Sequence, residues 1–489
     1  MSEKIQVPEL GAVGLVRYFW RQLTSMRTAL VLLLLLALAA IPGSLIPQNS
    51  QNPMAVNDYY EKYPTLASWF ERLSLFDVYS SAWFSSIYIL LFISLIGCVL
   101  PRSFEHFHAA RALPPKTPKN LSRLEHFQSW SANGEELAIA KQWLKTKKFR
   151  LLESEDSLSA EKGYLRETGN LFFHISLILI LIGVLIGGLF GVRGSAIVNQ
   201  GERFVNNATS YDTISFGQIS NENSLPPFTI TIDKFVAKYN TLTSAPEDYT
   251  LNVTTVAEPG AKPIKQIVKV NSPITFGSTR IYLQANGYSP IVTVKDKKGN
   301  VTFQGPVPFL PQDANLRSIG AIKVPDGDPQ LGFVSSFVPT YARSADQGAI
   351  SVFPEALDPK LLFSIWQGDL GLNSGKPQSV YRIDTSNMKQ IALSSLKPGE
   401  FLKFSEGTIT FEGVVPWVNL QIVSDPGKSY SLIGGIVAIL GLLASLFTRR
   451  RRIWIRVNDG KVEVAGLAKN NAPGLEAEMA EFIMKLRGN

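Results

Sequence analysis

The chain has 489 residues, 45% of them hydrophobic and 18% charged, with a formal net charge of +8, and its mean hydropathy is +0.08. That balance is too apolar for an ordinary soluble protein and too polar for a transporter that is helix throughout, so membrane spans joined to folded aqueous domains are expected. A single Cys excludes an internal disulfide, a C-x-x-C redox pair, a C-x-x-C-H haem attachment site and a cysteine-based zinc cluster.

In chain order, residues 1–28 carry Arg17, Arg21 and Arg27 ahead of a first apolar run at 29–46. The following Pro42-Gly-Ser-Leu-Ile-Pro is a poor small-x-small cleavage site, so this run reads as an anchor and not a signal peptide. A short loop at 49–82 leads to a second span at 83–100, which Arg102 and Arg111 follow. After the stiff linker Ala112-Leu-Pro-Pro-Lys-Thr-Pro, the loop 101–170 shows strand patterns at 123–130 and 149–153 around a helix at 135–148. Lys162 and Arg166 precede a third span at 171–190, and a fourth at 432–447 is closed by Arg449-Arg-Arg-Arg. The tail 449–489 repeats the loop's theme, with strand patterns around an Asn458-Asp-Gly turn and a helix at 475–486, so the two pieces are expected to fold together.

All four basic flanks lie on one side, which the positive-inside rule makes the cytoplasm. Both termini and the loop 101–170 are then cytoplasmic, and residues 49–82 and 193–430 external. The charge is therefore mostly topology. Segment 193–430 carries acids and bases in near balance, and no basic groove for nucleic acid is visible. That segment reads as β, with Phe228-Thr-Ile-Thr-Ile-Asp-Lys-Phe, Ile291-Val-Thr-Val and Ile409-Thr-Phe-Glu broken by turns such as Lys298-Gly-Asn. It holds neither His nor Cys, so nucleophile–base and metal-ligand sets are excluded there. The expected class is an integral membrane α+β protein: four transmembrane helices, a large external all-β, sandwich-like domain, in one or two lobes, and a small cytoplasmic α/β domain.

Ionisable groups at membrane depth are rare, at a cost of roughly 2.5 kcal/mol or more each, and His174 stands about one turn inside the third span. Cys98, near the end of the second span, falls at the same level, with Arg102, Lys162 and Arg166 at the headgroup boundary. A planar ligand with a metal and two carboxylates, such as haem, suits this layout: imidazole on the iron, propionates on the cations, and a Cys98 thiolate as a conceivable second ligand. The alternatives are a packing histidine and a cysteine that merely fills the core. Spacings of small residues at Gly183/Gly187, Gly187/Gly191 and Gly434/Ala438 would let another helix approach closely.

Leu23-Thr-Ser-Met-Arg-Thr-Ala-Leu, Ile41-Pro-Gly-Ser-Leu-Ile-Pro-Gln, Leu73-Ser-Leu-Phe-Asp-Val-Tyr-Ser-Ser-Ala-Trp-Phe, Cys98-Val-Leu-Pro-Arg and Gly169-Asn-Leu-Phe-Phe-His174 together resemble the ResB (CcsB) family of System II cytochrome c biogenesis proteins. Gly332-Phe, Gly368-Asp-Leu-Gly and Pro377-Gln-Ser-Val-Tyr extend the resemblance over nearly the whole chain. It implies that haem b is a transient cargo, that His174 matches the membrane histidine proposed to ligate it, and that a ResC/CcsA-like membrane protein is the partner. The pair would bring haem across a bacterial plasma membrane for attachment to the C-x-x-C-H thiols of apocytochrome c, kept reduced by a thioredoxin-like protein. The tryptophan-rich haem-handling motif belongs to the ResC half and is missing here, so this chain would be the non-catalytic subunit of a haem-ligating complex. Rival readings are an envelope scaffold or sensor with a structural His174, and, less compatible with four spans and no broken-helix pair, a transporter.

Overall fold

The computed structural model describes residues 11–49, 51, 53–124, 126–346, 348–372, 379–468 and 474–488. Pro377 and Gln378 of one resemblance motif, and the first ten residues, lie outside them. The chain divides into two compact units, Met1–Leu185 with Gly427–Asn489, and Ile186–Pro426.

The first unit opens with helix α1 (Ala12–Leu23), an element the sequence pattern had not suggested, and α2 (Met26–Leu45). Ser25 caps α2 by accepting from the Thr28 amide at 3.2 Å. Next come α3 (Pro53–Lys62) and α4 (Pro64–Arg72), then α5 (Ala82–Arg111), α6 (Glu136–Thr146) and α7 (Leu165–Phe190). Helices α8 (Lys428–Phe447) and α9 (Leu475–Arg487) complete the unit. Four of these, α2, α5, α7 and α8, are long and apolar enough to cross a membrane, and most of the large side chains that α2 and α8 leave exposed are Leu, Val and Ile. Such a surface is stable against lipid, where the helical backbone satisfies its own hydrogen bonds. The fold class is therefore an integral membrane α+β protein.

Helices α7 and α8 pack through small residues of the same chain. A Cβ added at Gly169 would stand 2.5 Å from the Gly441 carbonyl oxygen, one at Gly434 would meet Ile180 at 2.7 Å, and one at Gly183 would meet Ser431 at 2.3 Å. The small residues at 183 and 434 thus serve an internal helix pair. Gly169→Leu should force the two helices apart and lower stability by about 1–3 kcal/mol. Thermal unfolding of the detergent-solubilised protein reads this, and an unchanged melting temperature would contradict the packing.

Between α2 and α5, where the sequence suggested only loop, α3 and α4 enclose Val56, Ala67 and Phe76. Pro64 opens α4 at a position where a missing amide hydrogen costs nothing. Gln48 is buried, with its amide donating to the Leu75 carbonyl at 2.9 Å and its oxygen accepting from the Val78 amide at 3.0 Å, which stitches this cap shut.

A five-stranded antiparallel sheet interleaves the middle and end of the chain, in the order Gln128–Ser131, Lys461–Ala468, Arg451–Asn458, Ser157–Lys162, Arg150–Glu153. Helices α6 and α9 cover one face, with Leu144, Met479, Phe482 and Ile483 buried against Ala160, Ile453 and Val464. The strand expected over 123–130 is shorter, running Gln128–Ser131, because a 3-10 turn at Leu121–Arg123 precedes it and Leu124 and Phe127 pack against Leu121, Trp454 and Ala465 instead of pairing.

The second unit is built on two 18-residue strands, Thr279–Asp296 and Gly407–Ser424, paired antiparallel along their whole length. One half of this ribbon, the start of Thr279–Asp296 paired with the end of Gly407–Ser424 and joined by Val192–Asn199, faces a four-stranded sheet that includes Thr229–Tyr239 and Pro246–Val256, over a core of Phe204, Phe228, Ile230, Val418 and Leu420. The other half faces a five-stranded sheet that includes Ser318–Val324, Leu331–Val338 and Lys360–Gln367, over Val292, Phe333, Phe363 and Phe411. The result is two sandwich lobes strung on one ribbon. Trp417 lies on that ribbon opposite Gly287, where any Cβ would strike the indole at 2.4 Å, and its Nε1 donates to the Phe309 carbonyl at 3.0 Å.

Candidate functional site: a slot between two membrane helices

Helix α5 does not stop at Pro101. It continues through Pro101 to Arg111 and so presents a stripe of Cys98, Val99, Arg102, Glu105 and His106, at positions i, i+1, i+4, i+7 and i+8 of one face. Helix α7 answers with Glu167, Asn170, Leu171 and His174, at i, i+3, i+4 and i+7. The two stripes and Met26 line one cavity of about 370 Å³. Its end near Glu167 is marked by His106, whose Nε2 stands 3.8 Å from the Glu167 carboxylate. Seven residues, about 10 Å of helix, separate Glu167 from His174.

The His174 ring is oriented by a bond within its own helix. Its Nδ1 lies 2.8 Å from the Asn170 carbonyl oxygen. A carbonyl only accepts, so Nδ1 carries a proton, and the lone pair of the neutral form falls on Nε2, the arrangement of a metal-ligating imidazole with its other nitrogen tied down. Phe173 meets the ring edge-on, with centroids 5.3 Å apart. Cys98 is buried in the same wall, its thiol directed to the Leu95 carbonyl at 3.3 Å.

The basic residues divide. Arg102 lines this cavity and a neighbouring one of about 390 Å³ that reaches Thr24 and Arg27. Arg166 lines another of about 310 Å³, shared with His106, Glu167, Asn170, Ser445 and Arg450. Neither arginine has an ion-pair partner among the described residues, so both cations are available. Arg450 is committed: it bonds Glu161, and its Nη1 donates to Glu167 at 2.8 Å. Lys162 stands on the small sheet with its Nζ 5.4 Å from the Phe149 ring centroid, and lines none of these cavities.

Glu161 anchors this end of the spans. It is 1% exposed and accepts from Arg450, from Arg452 at 2.8 Å and from the Tyr164 hydroxyl at 2.8 Å. Burial pushes its carboxyl up, but these donors outweigh it and hold the group below the usual glutamate value. Tyr164, desolvated and donating to that carboxylate, is pushed up to about 12.

A family model described as the ResB-like family matches residues 26–480. The chain belongs to the ResB-like family. It is similar to the cytochrome c biogenesis protein CcsB of Synechococcus sp. (strain CC9311), 26% identical with 96% of this chain and 98% of that protein covered. The cytochrome c biogenesis protein Ccs1 of Rhodomonas salina is 24% identical over 96% of this chain and 98% of its own length. CcsB of Gloeobacter violaceus is 24% identical, covering 94% and 89%.

Of the residues singled out from sequence, this ResB-like chain brings His174, Cys98 and Arg102 to one cavity, places Arg166 on the adjoining one, and leaves Lys162 on the sheet. Sequence reasoning did not name His106, Glu167 or Asn170. His106 falls on the Cys98 face of α5 and could have been found by extending the helix past Pro101, and Asn170 lies four residues before His174, one turn back on the same face.

Proposed function

We propose that this ResB-like protein works in cytochrome c biogenesis, holding haem b as cargo in the slot between α5 and α7. His174 Nε2 bonds the iron, Met26, Val99 and Leu171 line the macrocycle, and Arg102 and Arg166 pair with the propionates. The basic flanks set the orientation: termini and small α/β domain in the cytoplasm of a bacterial cell, large β domain outside the plasma membrane. Haem enters from the inner leaflet and moves outward with a ResC/CcsA-like partner, and apocytochrome c, its thiols reduced by a thioredoxin-like protein, receives it on the outer side. Thioether formation lies with the partner complex, while this chain binds and orients the cargo.

The carrying observation is the hydrogen bond from His174 Nδ1 to Asn170, which leaves one uncommitted nitrogen lone pair on a ring lining a cavity flanked by free cations. Among the described residues no three His, Cys, Asp or Glu side chains gather as a bare metal-ion site. A single imidazole suits a metal that brings its own equatorial ligands, as haem does.

The test replaces the chromosomal gene with the His174→Ala variant and stains membranes for covalent haem. Loss of c-type cytochromes, with the variant present at wild-type level, is the expected result. Normal cytochrome c maturation in cells lacking the chain altogether would refute the role.

A further inference from the structure

The Nε2 of His106 is buried without a hydrogen-bond partner among the described residues. Its nearest polar neighbour is the Glu167 carboxylate at 3.8 Å, and the other oxygen of that carboxylate is already bonded by Arg450. An imidazole nitrogen buried and unbonded is costly unless something else takes its lone pair. His106 also lines two cavities, the one that holds His174 and the one that holds Arg166 and Arg450.

We infer that His106 is a second iron-ligating histidine of this chain, a first station at the mouth of the slot from which haem passes to His174. The inference rests on the haem reading above. Glu167, beside which His106 stands, lies about 10 Å along α7 from His174, far more than the two metal–nitrogen bonds that separate trans ligands on one iron, so the two imidazoles act in turn and not together. In the transfer, the bond from iron to His106 Nε2 breaks as the bond to His174 Nε2 forms. One imidazole replaces the other on the metal, so the oxidation state of the iron is unchanged. Glu167 is not orphaned when His106 turns to the iron, because Arg450 still holds it.

Ferric haem added to the full chain in lipid nanodiscs tests this, using wild type, His174→Ala, His106→Arg and the double variant. Arginine places N–H donors opposite Glu167 but has no lone pair to give. A residual imidazole-type Soret band in His174→Ala that vanishes in the double variant is expected, together with slower haem loading in His106→Arg to the same final spectrum as wild type. Identical spectra for His174→Ala and the double variant, or wild-type loading by His106→Arg, would overturn the station while leaving His174 as the ligand. Failure of wild type to bind haem, or a His174→Ala spectrum equal to that of wild type, would overturn the haem reading and this inference with it.

Discussion

Replacing His174 with Ala in the purified protein is expected to cut the ligated-haem spectrum to the weak residual band that His106 supports, and millimolar imidazole is expected to restore full intensity. The substitution removes the Nε2 lone pair and leaves a ring-sized space in the wall of the cavity that Met26, Val99 and Leu171 also line. Arg102 and Arg166 are untouched, so the propionates keep their partners. Free imidazole fits the vacated volume and supplies the missing ligand. The Asn170 carbonyl that oriented the native ring is free to accept from the guest. A packing histidine would behave otherwise: its loss would lower stability without changing the spectrum, and imidazole would repair nothing. Soret position and intensity with and without imidazole separate the two.

Glu161→Ala is the second large effect. The buried carboxylate bonds both Arg450 and Arg452, and it stands on the strand adjacent to that of Arg452, its register partner. Its removal leaves Arg452 without this partner and Arg450 with Glu167 alone. Losing one member of a buried pair costs about 3–5 kcal/mol, and the lower end applies because both guanidiniums are partly exposed. The sign of the pH dependence follows from the depressed carboxyl. Its contribution is complete above the unfolded glutamate value near 4.3 and is lost as pH falls through the lower folded value. The melting temperature of wild type should therefore exceed that of Glu161→Ala at pH 7, and the gap should close on acidification. Glu161→Gln keeps an acceptor and should lie between them. Equal melting temperatures at pH 7 would show that the cluster does not anchor the sheet to the spans. The pairing also reaches the slot, since Arg450 joins Glu161 to Glu167 and so to the mouth where His106 stands.

Much of this fold is legible in hydropathy alone. Runs of Leu, Ile and Val long enough to cross a bilayer announce α2, α5, α7 and α8, and the alternation in Phe228-Thr-Ile-Thr-Ile announces the strand Thr229–Tyr239, which buries Ile230 and Ile232 just after the buried Phe228. The failures share a physical cause. Pro101 and Arg102 look like the end of a helix because proline removes a donor and arginine marks an interface, yet α5 continues past them to Arg111. Stopping there hid His106. Helices α3 and α4 were missed because their apolar residues serve a small local core around Phe76, too short to impose a clear period. Lys162 was placed by sequence proximity to the third span, but the chain turns at Gly163, where φ is +102°, and the strand carries Lys162 onto the sheet. His174 was legible because an ionisable group inside an apolar run is its own signal, and what sequence could not give was the bond to Asn170 that fixes which nitrogen is free.

The most direct measurement is a cryo-electron microscopy map of the full chain purified with its ResC-like partner and loaded with ferric haem. The expected result is planar density in the slot between α5 and α7, its iron bonded to His174 Nε2 and its carboxylates directed at Arg102 and Arg166. Haem bound only to the partner, with the slot closed by side chains and His174 packed against a neighbouring helix, would contradict the haem-holding role assigned to this chain.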